Sequence, residues 1–185
     1  MGAIKVSEFI TLDGVIGVPT FTFDRPFTDE MSAAMSRLTD QGSEVVLLGR
    51  TTWVESGPAW TSKDMVDDPG APFFNSAPKH VVSATLDDVS GWSNSSVLGP
   101  YDAVAIQRLK DSVRTGIYVY GSGTLVRAML ADGLIDELHL WVYPVALGAG
   151  PKLFGEGAPE VMLTLLGSES FANGVVHLTY GPAAA

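Results

Sequence analysis

The sequence predicts an α/β fold: one domain on a mixed, mostly parallel eight-stranded sheet, flanked by helices on both faces and ending in an antiparallel hairpin. Three observations carry that prediction. Strand-like and helix-like stretches alternate through most of the 185 residues. Two apolar runs, at 44–48 and 117–120, pass directly through glycine into helix-like sequence. Near the C-terminus, Asn173-Gly174 separates two strand-like runs, and Asn-Gly in that position is the strongest short-range hairpin signal.

In chain order, residues 3–10 (AIKVSEFI) alternate Ile4, Val6 and Glu8 against Lys5, Ser7 and Phe9, a strand pattern. Thr11-Leu12-Asp13-Gly14 is a turn, and Val15-Ile16-Gly17 leads into a loop rich in Pro, Thr and Phe that ends at Pro26. Residues 28–40 read as a helix. Thr28 caps it, Asp29 and Glu30 suit its first turn, and Met31, Ala34, Met35 and Leu38 share a face. Residues 44–48 (EVVLL) form a buried strand that runs through Gly49 into Arg50-Thr51-Thr52-Trp53. Residues 57–78 hold Pro58, Pro69, Pro72 and Pro78 with an acidic patch at Asp64, Asp67 and Asp68, and are expected to be a long loop.

Strands follow at 80–83 and 96–98, and Asp102 caps a helix reaching Val113. After the strand at 117–120 come Gly121-Ser122-Gly123. Thr124 is expected to cap a helix carrying Val126, Met129 and Leu130, which Gly133 ends. Residues 137–145 make a strand with His139, Trp141 and Tyr143 opposite Leu138, Leu140 and Val142. Residues 161–171 and 175–180 are the hairpin strands, and 182–185 are expected to fray.

Composition narrows the function classes. With 46% hydrophobic and 17% charged residues the chain is globular in type, and no apolar run approaches the ~20 residues of a membrane span. Its first residues lack the basic-then-apolar pattern of a signal peptide. The absence of cysteine rules out disulfides and thiolate metal sites, and suits a cytoplasmic location. The excess of 21 acidic over 11 basic residues disfavours nucleic acid and anionic membranes. An anionic ligand must then be held by local N–H groups and a few placed cations.

Two strand-to-helix turns through glycine offer that environment. Glycine permits close backbone approach, and a helix start presents unpaired N–H groups and a positive dipole end. A tight turn with no ligand accounts for the same residues. The dinucleotide fingerprint GxGxxG is not met, because Val126 takes the third glycine's place, and there is neither a P-loop nor a GxSxG elbow. His80, His139 and His177 lack metal-ligand spacing and read as packed or surface strand residues. What remains fits a phosphorylated cofactor that carries its own chemistry.

These stretches resemble the dihydrofolate reductase-like superfamily. LLGRTTWVESG (47–57) is similar to a strand and helix start of that fold, EFITLDGVIG (8–17) to its first strand and the loop entering its active site. KHVVSATL (79–86) resembles the strand that holds the cofactor's adenosine, and IYVYGSGTLVRAML (117–130) the pyrophosphate-binding strand and helix. Residues 121–154 look most like the reductase domain of bacterial riboflavin biosynthesis, the RibD C-terminal domain, and its stand-alone relatives. The resemblance covers residues 3–180 and implies a single dihydrofolate reductase-like domain over 1–185.

It also implies NADPH across the strand ends. Gly49, Arg50, Thr51 and Thr52 would hold its phosphates, and Ser83 and Thr85 would lie beside the adenosine ribose and 2′-phosphate. Gly121, Ser122, Gly123, Thr124 and Leu125 would cradle the pyrophosphate, with Ile10 and Ile16 flanking the nicotinamide. The substrate side departs from the pattern. True dihydrofolate reductases set tryptophan and proline ahead of a helical carboxylate, whereas this chain has FDRPFTDE at 23–30. Asp29 is the nearest match for a catalytic carboxylate, and a residue complementing the helix dipole explains it equally.

The leading expectation is an NADPH-dependent reductase of a small heterocyclic or carbonyl-bearing substrate. The alternatives are a non-catalytic ligand-binding or dimer-forming protein of the same fold, or the riboflavin-pathway 5-amino-6-(5-phosphoribosylamino)uracil reductase itself. His139, Trp141 and Tyr143 are expected to face outward and, with the 144–153 loop, to support a homodimer.

Overall fold

The continuously apolar runs at 45–48 and 117–120 become interior strands of one eight-stranded sheet, as strands covered on both faces should. The structure, a computed structural model, describes residues 2–17, 19–63 and 68–183. In chain order its elements are β1 (Ala3–Thr11), α1 (Asp29–Leu38), β2 (Val45–Gly49), α2 (Arg50–Thr61), α3 (Ala71–Ser76), β3 (Lys79–Val82) and β4 (Ser95–Gly99). Then come α4 (Ala103–Ser112), β5 (Gly116–Tyr120), α5 (Gly123–Ala131), β6 (Glu137–Tyr143), β7 (Leu163–Ser170) and β8 (Val176–Pro182).

The sheet order is β4-β3-β2-β5-β1-β6-β8-β7. From β4 to β6 all neighbours run parallel, and β8 and β7 close the sheet antiparallel. The chain leaves a place beside β1 that β5 later fills, then crosses to β6 on the other side of β1. That reversal of direction makes the carboxyl ends of β5 and β1 the place where a crevice opens. β5 pairs with β1 only as far as Ser7 opposite Tyr120, while β1 continues along β6 to Thr11 opposite Tyr143.

One face of the sheet buries Ile4, Val6, Leu47, Ile117 and Val119 with Ile106 of α4 and Val126 and Met129 of α5. The other buries Val46, Leu48, Tyr118 and Trp141 with Met31 and Leu38 of α1, Trp53 of α2 and Phe73 and Phe74 of α3. The expected hairpin forms: the Phe171 N–H donates to the Val175 carbonyl (2.9 Å), and Gly174 takes φ +86°. Asn173 fastens it to the loop before α1, donating to the Pro26 carbonyl (3.0 Å) while Arg25 donates to its own carbonyl (2.9 Å).

Three expectations need correction. Residues 57–78 are not one loop, because α2 continues through Pro58 to Thr61 and α3 occupies Ala71–Ser76. Proline removes one N–H from the helix, but Trp60 stacks on Phe74 at 4.1 Å and Thr61 donates to the Gly57 carbonyl, so packing carries the helix past it. Of the acidic patch, Asp64 and Asp67 lie outside the described residues, and Asp68 pairs with Lys63. At the C-terminus Pro182 belongs to β8 rather than a frayed end, and residues 184–185 are outside the description.

The third correction concerns β6. His139, Trp141 and Tyr143 are 4%, 0% and 0% exposed, so they are core and not an outward aromatic face. β8 and α1 cover what sequence periodicity alone left open. Trp141 stacks on His177 (4.0 Å, planes 1° apart) and donates to Ser7 Oγ (3.0 Å). His139 shares a hydrogen bond with His177 (3.0 Å) and meets Glu137 through its other nitrogen (2.9 Å).

Burial, with the charges of His139 and Arg37 nearby, pushes His177 down to about 4 from its ordinary 6.5. As pH falls through 6.5 the unfolded chain takes up a proton that the folded chain refuses until about 4, so His177 destabilises the fold across that window. Thermal melts of His177→Gln should therefore lose less stability than the parent between those two pH values. Equal acid slopes in the two proteins would contradict the burial argument.

Candidate active site

At the carboxyl ends of β1, β2 and β5 lies a cleft of about 1080 Å³. Its floor is the point where two strand-to-helix turns meet. Ser122 Oγ accepts from the Gly49 N–H (2.8 Å) and lies 2.6 Å from Thr52 Oγ1, joining the β2–α2 turn to the β5–α5 turn. Gly49 has to be glycine for this: a Cβ there would sit 2.6 Å from Ser122 Oγ. Gly121 and Ser122 take φ +62° and +72°, two left-handed residues in succession that swing the chain from strand into helix.

Ser122, not Thr124, is the N-cap of α5, and it makes no side-chain capping bond because its hydroxyl is committed to Gly49 and Thr52. Gly49 caps α2 and has no side chain to cap with. By contrast α1 is capped by Thr28 and α4 by Asp102. The two long helices that start on the cleft thus lack the side-chain cap that α1 and α4 have, as does the short α3 at Gly70. Such ends attract anions.

Arg50, the first residue of α2, lines the cleft, is exposed, and forms no ion pair with any described residue. The resemblance read from sequence assigned it to the cofactor's phosphates, and the structure adds Arg127 to the cleft. One turn into α5, Arg127 donates to Thr124 Oγ1 (3.2 Å) and to the Lys152 carbonyl (3.0 Å) while lining the cleft. The third cleft cation, Lys63, is neutralised by Asp68 and lies over the Trp60 ring at 4.2 Å. Phe9, Phe27, Trp60 and Phe74 give the rest of the cleft aromatic walls.

Most of the expected cofactor residues converge here. Ile16, Gly49, Arg50, Thr51, Thr52, Gly121, Ser122, Gly123, Thr124 and Leu125 all line the cleft. Ile10 does not; it is core, 6% exposed. Ser83 and Thr85 also stand apart from the lining, and Ser83 Oγ accepts from the N–H groups of Thr85 (3.1 Å) and Leu86 (3.0 Å) to close the turn after β3. Asp29 is exposed at the start of α1, which turns Ser32, Met35 and Ser36, with Thr39 at its C-cap, to the cleft. The structure does not bring Asp29 to the cleft. Gly123 also gains a different reason: a Cβ there would meet Ile16 Cδ1 at 2.4 Å, so the glycine seats Ile16 against the helix start.

Ile16 is held by a clamp between two loops. Asp13 accepts from Thr11 Oγ1 (2.6 Å), the Gly148 N–H (2.7 Å) and the Leu147 N–H (3.2 Å), which pulls its carboxyl down to about 2. Beside it the Ile16 N–H donates to the Pro151 carbonyl (2.8 Å) and the Leu153 N–H to the Gly14 carbonyl (3.0 Å). The Leu-Asp-Gly turn thereby fixes one wall of the cleft to the segment after β6.

Glu8 is the cleft residue that sequence reasoning passed over. Strand alternation places it with Ile4 and Val6, and it is 5% exposed on that apolar face. Burial drives its carboxyl up to about 8, with Arg127 pulling the other way. A carboxylate on the inward face of a strand was the signal that could have found it.

A sheet of this order, with its cleft at the β5–β1 switch and two glycine-led helix starts, defines the dihydrofolate reductase-like class of fold. Within it the chain belongs to the RibD C-terminal domain family, which matches residues 3–177. A crystal structure of a Shewanella sp. PV-4 protein provisionally assigned to riboflavin biosynthesis superposes with a TM-score of 0.78 at 22% identity, covering 98% of this chain and 99% of that one. A pyrimidine reductase-like protein of Corynebacterium diphtheriae gives 0.68 at 13% identity, covering 100% and 93%. Two uncharacterized Bacillus subtilis (strain 168) proteins are similar in sequence: YyaP, 28% identical over 109 residues, and YwjB, 37% over 68. These matches span 57% and 37% of this chain, and 55% and 39% of those two proteins.

The turn-to-turn lock can be tested sterically. Gly49 has an ordinary φ of −84°, so Gly49→Ala adds only the clash with Ser122. It should cost about 1–3 kcal/mol in urea unfolding. Ser122→Gly in the same chain should recover part of that loss, and a double variant no more stable than Gly49→Ala would place the strain elsewhere.

Proposed function

We propose that this protein is a cytoplasmic NADPH-dependent reductase that passes hydride to a small, flat heterocyclic or carbonyl-bearing substrate. The observation that carries it is the pair of helix starts left uncapped on one cleft, locked together through Ser122, with Arg50 beside them in no ion pair with a described residue. Reductases of this family generally use a nicotinamide cofactor. The turns at Gly49–Thr52 and Gly121–Leu125 would hold its phosphates, and Ile16 would pack against its ring. The cofactor supplies the hydride; the chain supplies position, charge and exclusion of water.

The riboflavin-pathway substrate carries a ribose phosphate. Away from Arg50 and Arg127, the described cation of the cleft is Lys63, already paired with Asp68. That favours a substrate without a phosphate of its own. The homodimer stays part of this proposal on a different surface from the one expected: edge strand β7 and its approach expose Met162 (68%), Leu165 (52%) and Leu166 (59%). Sedimentation at the mass of a single 19.6 kDa chain would refute it.

Nicotinamide fluorescence during titration with NADPH and NADH tests the cofactor. Charge-assisted hydrogen bonds are worth roughly 1.5–3 kcal/mol, so Arg50→Ala should weaken NADPH by about 10- to 150-fold. If Arg50 reads the 2′-phosphate, NADH affinity stays the same; if it reads the pyrophosphate, both weaken together. Unchanged NADPH affinity in folded Arg50→Ala would take Arg50 out of the site.

A further inference from the structure

We infer that Glu8 is the proton donor of this cleft, its carboxyl supplying the proton that a reduced substrate requires. This rests on the reductase reading above and deepens it. β5 ends opposite Ser7, so Glu8 is the first residue of β1 whose edge on that side faces no strand. It lines the cleft from between Val6 and Ile10, and its Oε1 is buried with no hydrogen-bond partner among the described residues.

The other described carboxylates of the cleft are Glu55, which is exposed on α2, and Asp68, which Lys63 neutralises. The carboxylate expected from sequence, Asp29, is outside the lining. An ionised carboxylate kept from water without a donor is costly, so the site favours the neutral acid, which has a proton to give. The burial that pushes its carboxyl up to about 8 agrees with the geometry.

The groups that act on Glu8 electrostatically are Arg127 of α5 and the Tyr118 and Tyr120 hydroxyls of β5. β6 sets Leu140 opposite it, and the loop residues Ile16, Gly17 and Pro19 lining the same cleft carry no charge. Arg127 is bound to Thr124 and two backbone carbonyls, and forms no ion pair with Glu8. The cation tunes the acid without neutralising it.

The chemistry balances. Hydride addition to a C=N or C=O carbon makes a C–H bond and moves the π pair onto the heteroatom. The O–H bond of Glu8 breaks, its proton goes to that heteroatom, and the carboxylate left behind is reprotonated from solvent. The two electrons come from a dihydronicotinamide, which is oxidised.

Carboxyl-labelled glutamate followed by NMR across pH, with and without NADPH, tests the assignment. One glutamate should titrate near pH 8, vanish in Glu8→Gln, and shift when NADPH binds. Arg127→Met should move that titration higher still, because the cation is what lowers it. Glu8→Gln should bind NADPH like the parent. Stability offers a second readout. With its folded value raised above 4.5, Glu8 contributes stability below pH 4.5 that is lost as pH rises through about 8. Melts of Glu8→Gln should lack that decline between pH 4.5 and about 8, which overlaps the His177 window but has the opposite slope. Glutamates that all titrate in the ordinary range, or a Glu8 signal blind to NADPH, would overturn the inference. Failure of the parent to bind NADPH would overturn the reductase reading instead, while the titration would still report whether Glu8 holds a proton.

Discussion

Everything at the cleft depends on one small contact, the Ser122 hydroxyl between Gly49 and Thr52. It joins two turns that are 73 residues apart in sequence and fixes where α2 and α5 begin. A serine in the left-handed region is an uncommon choice, and the usual return for such a residue would be a capping bond to its own helix. Here the hydroxyl points across to the neighbouring turn. The consequence is structural and electrostatic together: the two turns are tied to one another, and both helices begin at the cleft without a side-chain cap.

The sheet topology makes that contact possible. β5 is inserted between β2 and β1 after both have formed in chain order, so its carboxyl end brings α5 beside α2 and against the loop after β1. The early end of β5 also frees the last residues of β1 on one side. A cleft so placed has a polar floor made of backbone and a side wall made of strand side chains. Glu8 is the strand residue in that wall that carries chemistry, and its cost in burial is the mark of a group kept for something other than stability.

How much of this was legible follows from the range of the forces involved. The strands, the hairpin and the caps at Thr28 and Asp102 rest on neighbours within a few residues, and periodicity and turn chemistry read them. The glycine turns were legible for the same reason. What failed depends on distant partners. α2 survives Pro58 because Phe74 stacks on Trp60, and the His139 side of β6 is buried because β8 and α1 cover it. Alternation assigned that strand two faces correctly but could not say that both were inside. Asp29 was chosen by its place in a helix start, and it is the orientation of α1 that leaves it in solvent. Glu8 was in view as part of an apolar face; only the end of β5 beside it shows that the face opens on a cleft.

Charge brings these strands of argument together. A chain with a formal charge of −10 should repel a dinucleotide carrying several negative groups. At physiological salt, however, exposed charges are screened beyond about 8 Å, so the distant net charge acts weakly on a group in the cleft. What an anion would meet there is local: two helix starts, Arg50 in no ion pair with a described residue, and Arg127 tied to backbone carbonyls. Beyond them Lys63 is already neutralised and the walls turn aromatic. Arg50, Arg127 and the two helix starts of the cleft thus gather at one end, and its aromatic residues line the other. Glu8 stands on the wall between β1 and the start of α5. A negative charge on it would oppose any anion placed at the helix starts, so a neutral carboxyl suits the proposed phosphate binding as well as proton transfer.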